Sequence, residues 1–130
     1  MLQPAIAELA RGGAFGVVTS INPNGLIQAL PLWIDADDAG EYLLLNTEIH
    51  RQRYKNYQHD KRVTVAIIGK ANWYQWAEVR GEIAGEVRGP DARAHIDKLA
   101  RRYTNADYSF PIVSERVILK VKPIKQLLSG

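Results

Sequence analysis

Most apolar residues of this chain fall in short alternating or β-branched runs separated by Gly, Pro, Asn and Asp, and only three segments show helical spacing. Residues 14–21 read as a strand, with Phe15, Val17, Thr19 and Ile21 on one face and the smaller Ala14, Gly16, Val18 and Ser20 on the other. Asn22, Pro23, Asn24 and Gly25 are turn formers, and strand character resumes over 26–35, so a hairpin is predicted. A polar turn over 36–40 leads to a third strand at 41–46, and the Val/Ile-rich segment 62–68 reads as a buried fourth. A long strand over 73–87 contains Gly81 and Gly85, which mark bulges or bends, and a last strand spans 115–121 before Pro123.

Helices are predicted at three places. Residues 4–11 open with Pro4, place Ile6, Leu9 and Ala10 on one side and stop at Gly12 and Gly13. A second, basic helix is expected to begin near Glu48. The third opens at Pro90 and carries the stripe Ala92, Ile96, Leu99, Ala100 and Tyr103. Six strands, mostly hairpin-connected, with about three peripheral helices predict a mainly β (α+β) fold. The expected form is a six-stranded antiparallel barrel forming a single domain over 1–130.

Composition narrows the chemistry. At 130 residues the chain is large enough for a real core but small for an enzyme that must enclose a cofactor unaided, so a second copy could supply missing walls. The absence of cysteine excludes disulfides, thiolate metal sites and a cysteine nucleophile. His50, His59 and His95 have no metal-ligand spacing, and His59 and His95 read as surface residues. No G-x-S-x-G elbow occurs, and Gly12-Gly13 precedes a strand where a phosphate-binding glycine loop would open a helix. The apolar runs are too short to span a bilayer and the N-terminus lacks a secretory pattern, so a cytoplasmic location is expected.

Positive charge concentrates at 46–56, where Asn46 and Thr47 are followed by His50, Arg51, Arg53 and Lys55. A helix starting there would offer free backbone N–H groups, capped by Asn46 or Thr47, while guanidinium groups bind a phosphate bidentately. Tyr54 and Tyr57 form an apolar face that can pack on the sheet. The alternative is a solvated basic face. Two further features bear on this choice. Pro31, beside Leu32 and Trp33, interrupts an otherwise good strand and implies an edge or bulge. Read as strand, Trp73-Tyr74-Gln75-Trp76 puts Tyr74 and Trp76 on one side, as a wall for a planar ring, a subunit interface, or a strand end packed over the barrel mouth.

Four pieces of the chain together resemble a known family. They are Gly25 with Pro31, Leu32 and Trp33; Asn46 and Thr47 followed by Arg51, Arg53, Lys55 and Asn56; the run from Trp76 to Gly81; and Leu99 to Thr104 followed by Asp107 and Tyr108. The resemblance is to the split β-barrel flavin and deazaflavin oxidoreductases, the superfamily that includes pyridoxamine 5'-phosphate oxidase. Within it the match is to the small branch of coenzyme F420-dependent enzymes. Arg53 stands where the family pattern has Lys, Lys55 where it has Arg, and His50 where Gly is common.

The resemblance implies an FMN-binding-type split barrel and a homodimer with the cofactor at the subunit interface. It further implies hydride transfer between that cofactor and a small organic acceptor, and favours coenzyme F420 over FMN. Thr47, Arg51 and Arg53 would hold the phosphate with Asn46 and Lys55 beside them. Pro31, Leu32 and Trp33 would line the ring, and Tyr74 and Trp76 would close the pocket. No general acid is nominated and no metal, nucleic acid or membrane partner is implied. Competing readings are a flavin or tetrapyrrole carrier without turnover and a nucleic-acid-binding small barrel, the latter disfavoured because the basic residues cluster at one strand end.

Overall fold

The computed structural model describes residues 1–129. Its elements are α1 (Pro4–Arg11), β1 (Phe15–Ile21), β2 (Ile27–Leu32), β3 (Ile34–Ala36), β4 (Leu43–Glu48), α2 (Gln52–His59), β5 (Arg62–Ile68), β6 (Trp76–Arg88), α3 (Pro90–Thr104) and β7 (Arg116–Leu128). The expected three helices are present. The strands number seven instead of six and form one antiparallel sheet in the order β2-β1-β5-β6-β7-β4-β3.

The additional strand arises at Trp33, where the run expected as one strand over 26–35 divides into β2 and β3. These two lie at opposite ends of the sheet, yet only Trp33 separates them in sequence. The sheet must therefore curl until its edges meet at 31–34, giving a barrel that no β2–β3 ladder closes. Pro31 is tolerated because β2 is an edge strand whose only ladder is with β1. Gly16 on β1 makes the seam possible: a Cβ there would lie 2.6 Å from Ile34 Cγ2 and 2.7 Å from the Leu32 carbonyl oxygen.

β6 and β7 are also displaced from expectation. β6 begins at Trp76, so Trp73, Tyr74 and Gln75 belong to the preceding turn and the expected strand alternation does not apply to them. β7 does not stop at Pro123 but continues to Leu128. The ladder between these 13-residue strands is irregular at Arg80/Gly81 and Ile83/Gly85, and Pro123 faces Gly81 at the first irregularity, where the proline's missing donor is harmless. A Cβ on Gly81 would stand 2.1 Å from the Lys122 carbonyl oxygen, so glycine is required by close backbone approach.

The barrel interior is filled by alternate residues of these strands, including Val63, Val65 and Ile67 of β5, Val79 of β6 and Val117, Leu119 and Val121 of β7. Leu43 and Leu45 of β4 join them, both fully buried. The predicted apolar face of α2 packs as expected: Tyr57 is fully buried and its hydroxyl donates to the Thr19 carbonyl at 2.6 Å. α3 turns Ala92, Ile96, Leu99 and Ala100 inward, against β4, β6 and β7. It carries His95 on the same buried side.

Candidate functional site

A cavity of about 490 Å³ opens at the barrel seam. Its walls come from Phe15, Gly16 and Val17 of β1, from Pro31, Leu32 and Trp33, from Asn46, from Arg51 and Arg53, and from α3, the following loop and Arg116. Six residues singled out from the sequence thus meet in one space: Pro31, Leu32, Trp33, Asn46, Arg51 and Arg53. Thr47 lies behind them, its hydroxyl accepting from Arg53 Nε at 3.2 Å. Lys55, Tyr74 and Trp76 do not line this cavity.

The basic corner is built differently from the expected helix start. Asn46, Thr47 and Glu48 are buried residues of β4, and helix α2 begins only at Gln52, after Arg51 in an extended conformation with no side-chain cap. Asn46 and Thr47 therefore cap nothing. Asn56 also leaves the site, being fully buried with Nδ2 donating to Ser20 Oγ at 2.9 Å and Asn22 Oδ1 at 3.1 Å. His50 is exposed in the turn before α2, against the Ser114 hydroxyl.

What remains at the corner is positive. Burial lowers the Arg53 guanidinium, and the charges of Arg51 and Arg116 lower it further against an opposing contribution from Tyr57; it stays protonated. Among the described residues, the only carboxylate paired with this trio is Glu48, whose Oε2 accepts from Arg116 Nη1 at 3.3 Å. Burial would raise the fully buried Glu48 carboxyl, but the Ser114 and Val113 N–H groups, each 2.7 Å from Oε1, and the Arg116 and His50 charges hold it below its usual range.

Behind Arg116 runs a chain of buried polar groups that the sequence did not announce. Arg116 Nε donates to Asn46 Oδ1 at 2.8 Å. Asn46 Nδ2 donates to the Ala92 carbonyl at 2.9 Å and meets His95 Nδ1 at 3.0 Å. His95 Nε2 reaches Asp35 Oδ2 at 3.0 Å, and Arg102 Nη1 donates to Asp35 Oδ1 at 2.9 Å. Burial pushes the Asp35 carboxyl up, but bonds from His95 and Arg102, the Arg102 charge and the Ala36 N–H outweigh it and hold the pKa at about 2. His95, expected at the surface, is 9% exposed. One signal could have placed it: His95 lies three residues after Ala92 and four before Leu99, on the apolar stripe of its helix.

The remaining walls are aromatic. Trp33 stacks on Tyr103 with centroids 5.3 Å apart and planes 7° apart, and meets Tyr108 edge-on at 6.2 Å. Tyr103 is locked, its hydroxyl donating to the Ala14 carbonyl at 2.6 Å and accepting from the Ile34 N–H at 3.3 Å. Tyr108 leans on Phe110 at 5.7 Å and lies beneath the Arg116 guanidinium, 5.1 Å from its centroid. A planar ligand with an anionic arm matches this division into stacking surface and cationic corner.

Tyr74 and Trp76 sit on the outer face. Trp76 pairs with Ile68 across β5–β6, and Ile68 pairs with Phe15 across β1–β5, so an apolar band, half-buried at Ile68, runs from the cavity rim to Trp76 and Trp73. Trp73 and Trp76 line a separate groove of about 420 Å³ with Ile68 and Leu127. Among the described residues, no cluster of three His, Cys, Asp or Glu side chains could hold a metal ion, and no helix is long and apolar enough to cross a membrane.

No family model matches the chain, and no curated protein matches it by sequence. Solved structures do. A protein solved as F420 reductase superimposes with a TM-score of 0.79 at 29% identity, covering 92% of this chain and 94% of its own. The chain is thus similar in fold to the pyridoxamine 5'-phosphate oxidase-like, F420-related split-barrel proteins. The conserved hypothetical protein Rv2991 from Mycobacterium tuberculosis matches at 19% identity and TM-score 0.74, over 97% of this chain and 82% of its own. A Listeria innocua protein assigned to pyridoxamine 5'-phosphate oxidase shares the split-barrel fold at 15% identity and TM-score 0.69, over 95% and 94%. The shared split barrel is the frame in which the seam cavity sits.

Proposed function

We propose that the chain is an oxidoreductase that transfers a hydride between a bound deazaflavin or flavin and a small organic acceptor, with coenzyme F420 ahead of FMN. The observation that carries this reading is the seam cavity itself, where aromatic walls and the Asn46, Arg51 and Arg53 corner meet in a volume suited to one ring-bearing ligand. The 29% identity to an F420 reductase supports the choice of deazaflavin. When bound, the cofactor supplies the hydride chemistry, and the protein supplies position and electrostatics.

In this role Arg51 and Arg53 bind the phosphate, with Thr47 steering Arg53 through its Nε contact. Trp33 and the backbone around Pro31 and Leu32 border the ring. Lys55, exposed on α2, is left for a more distal acidic part of the ligand. Tyr74 and Trp76 act in a homodimer, where the apolar outer band of one subunit closes the cavity of the other, which explains large exposed aromatics outside the cavity they serve.

The reading is tested by the absorption spectrum of the purified protein, with mass spectrometry of what denaturation releases. Titration of FMN and coenzyme F420 should show about a tenfold or greater loss of affinity in Arg51→Ala and in Arg53→Ala, the loss expected for one sheltered charge-assisted hydrogen bond. Unchanged affinity in both variants would sink the phosphate assignment. If the protein binds cofactor but oxidises neither reduced form with quinone or enone acceptors, it is a carrier and not an enzyme.

A further inference from the structure

We infer that Arg116 is a third anion-binding arm of the cavity, and that Asp35, His95 and Asn46 form a buried chain whose work is to fix the orientation of its guanidinium. This rests on the cofactor reading above and extends it to residues outside the 46–56 segment.

Two edges of Arg116 are committed. Nε donates to Asn46 Oδ1 at 2.8 Å and Nη1 donates to Glu48 Oε2 at 3.3 Å. Nη2 donates to no acceptor at hydrogen-bond geometry among the described residues, and the Tyr108 hydroxyl is a further polar neighbour of the guanidinium on the cavity wall. Since no buried side-chain nitrogen among the described residues lacks a partner, Nη2 opens onto the cavity that Arg116 lines. Arg116 is also near enough to Arg53 to depress it. A guanidinium held on two sides, with its Nη2 donor left beside a second guanidinium, can share one phosphate with that neighbour through charge-assisted hydrogen bonds.

The chain behind it has one possible polarity. Arginine only donates, so the Asn46 oxygen must face it, and the Asn46 amide nitrogen must face His95. His95 Nδ1 is then an acceptor and Nε2–H donates to Asp35 Oδ2. A proton on Nδ1 would set two donors against each other. Every bond thus points from Arg116 toward the Asp35 carboxylate, and each polarises the next, strengthening the Asn46 oxygen as an acceptor. A buried polar chain of this length does little for stability that apolar side chains could not do, so its work is assigned to orientation. Glu48 secures the other side of Arg116 and, through the Val113 and Ser114 N–H groups, the loop that carries Tyr108 and Phe110.

The test compares ligands with and without phosphate: FMN against riboflavin, and coenzyme F420 against its phosphate-free chromophore. In Arg116→Gln the affinity ratio of phosphorylated to unphosphorylated ligand should fall about 10- to 100-fold, while affinity for the phosphate-free ligand stays within about threefold. Arg116→Lys should recover only part of the ratio, because lysine keeps the charge but not the Nε contact. Asn46→Leu should lower the ratio about tenfold without touching Arg116 itself. Arg116→Gln leaves Glu48 buried and unpaired, so the double variant Glu48→Gln/Arg116→Gln, which removes both charges, is made alongside it. An unchanged ratio in either folded variant overturns the proposal. If the wild-type protein binds neither cofactor, the cofactor reading fails separately, and the arm is tested by thermal protection with pyrophosphate. Protection lost in Arg116→Gln supports the arm, and equal protection in wild type and variant overturns it.

Discussion

Replacing Asp35 by Asn isolates the buried end of the chain behind the cavity. Asp35 is 1% exposed and its carboxyl is held at about 2 in place of 3.8, a depression of 3.8 − 2 = 1.8 pH units or so. At about 1.36 kcal/mol per unit, the charged carboxylate contributes roughly 2.4 kcal/mol to stability at neutral pH. The amide removes that contribution. It must also turn its NH₂ toward either His95 or Arg102, leaving a buried donor unmatched at a further cost of about 1 to 3 kcal/mol. Urea unfolding at pH 7 should therefore show Asp35→Asn less stable by about 3 to 5 kcal/mol. Because the folded pKa is depressed, the ionic part is fully present above the unfolded value of 3.8 and is lost as pH falls toward 2. Linkage with these two values leaves about 1.3 kcal/mol of it at pH 3, so the gap between wild type and variant should narrow by about 1 kcal/mol between pH 7 and pH 3. Parallel stability curves over that range would falsify the account of Asp35 as a paired buried carboxylate.

Two other changes probe separate parts of the molecule. Gly81→Ala places a methyl group 2.1 Å from the Lys122 carbonyl oxygen at the β6–β7 irregularity, so the expected outcome is loss of several kcal/mol or of soluble protein, read by thermal melting. Normal melting would mean that the strands do not approach so closely. If the proposed homodimer forms through the outer band, Trp76→Arg, at a 43%-exposed position there, should leave the circular dichroism spectrum unchanged and shift light-scattering mass from dimer toward monomer. A mass unaltered by the charge places the subunit contact elsewhere.

Where a segment's own residues decided its structure, the sequence was sufficient. β5 alternates cleanly because Val63, Val65 and Ile67 turn inward, and α1 and α3 begin at their prolines. Trp33 shows the opposite case. Pro31 announces an edge or bulge, but nothing local announces that the chain passes at Trp33 to the opposite edge of the sheet, because that division is imposed by barrel closure. Pro123 reads as a stop, yet the facing Gly81, 42 residues away in sequence, provides an irregular ladder that absorbs it. The site divides along the same line. Asn46, Arg51 and Arg53 were legible as one basic segment, whereas Arg116 opens a separate strand 70 residues beyond Asn46 and gains its role only through cross-strand register. His95 was misplaced because its polar ring was weighed ahead of its position on the apolar stripe, while its partners, Asp35 and Asn46, lie far away in sequence.

The β4–β7 ladder has a consequence for the order in which the molecule can be assembled. It pairs Leu43 with Val121 and Glu48 with Arg116, so the strand bearing Asn46 obtains its long-range neighbour only from the final element of the fold. A nascent chain halted before residue 116 already holds the β1–β2 hairpin and the β5–β6 pair, but β4 then has only the three-residue β3 to lean on. Closing so distant a ladder is slow, since the loop entropy is spent before the contacts are made. The anion corner should accordingly be among the last regions to gain hydrogen-exchange protection on refolding, well after the β1–β5–β6 half of the sheet.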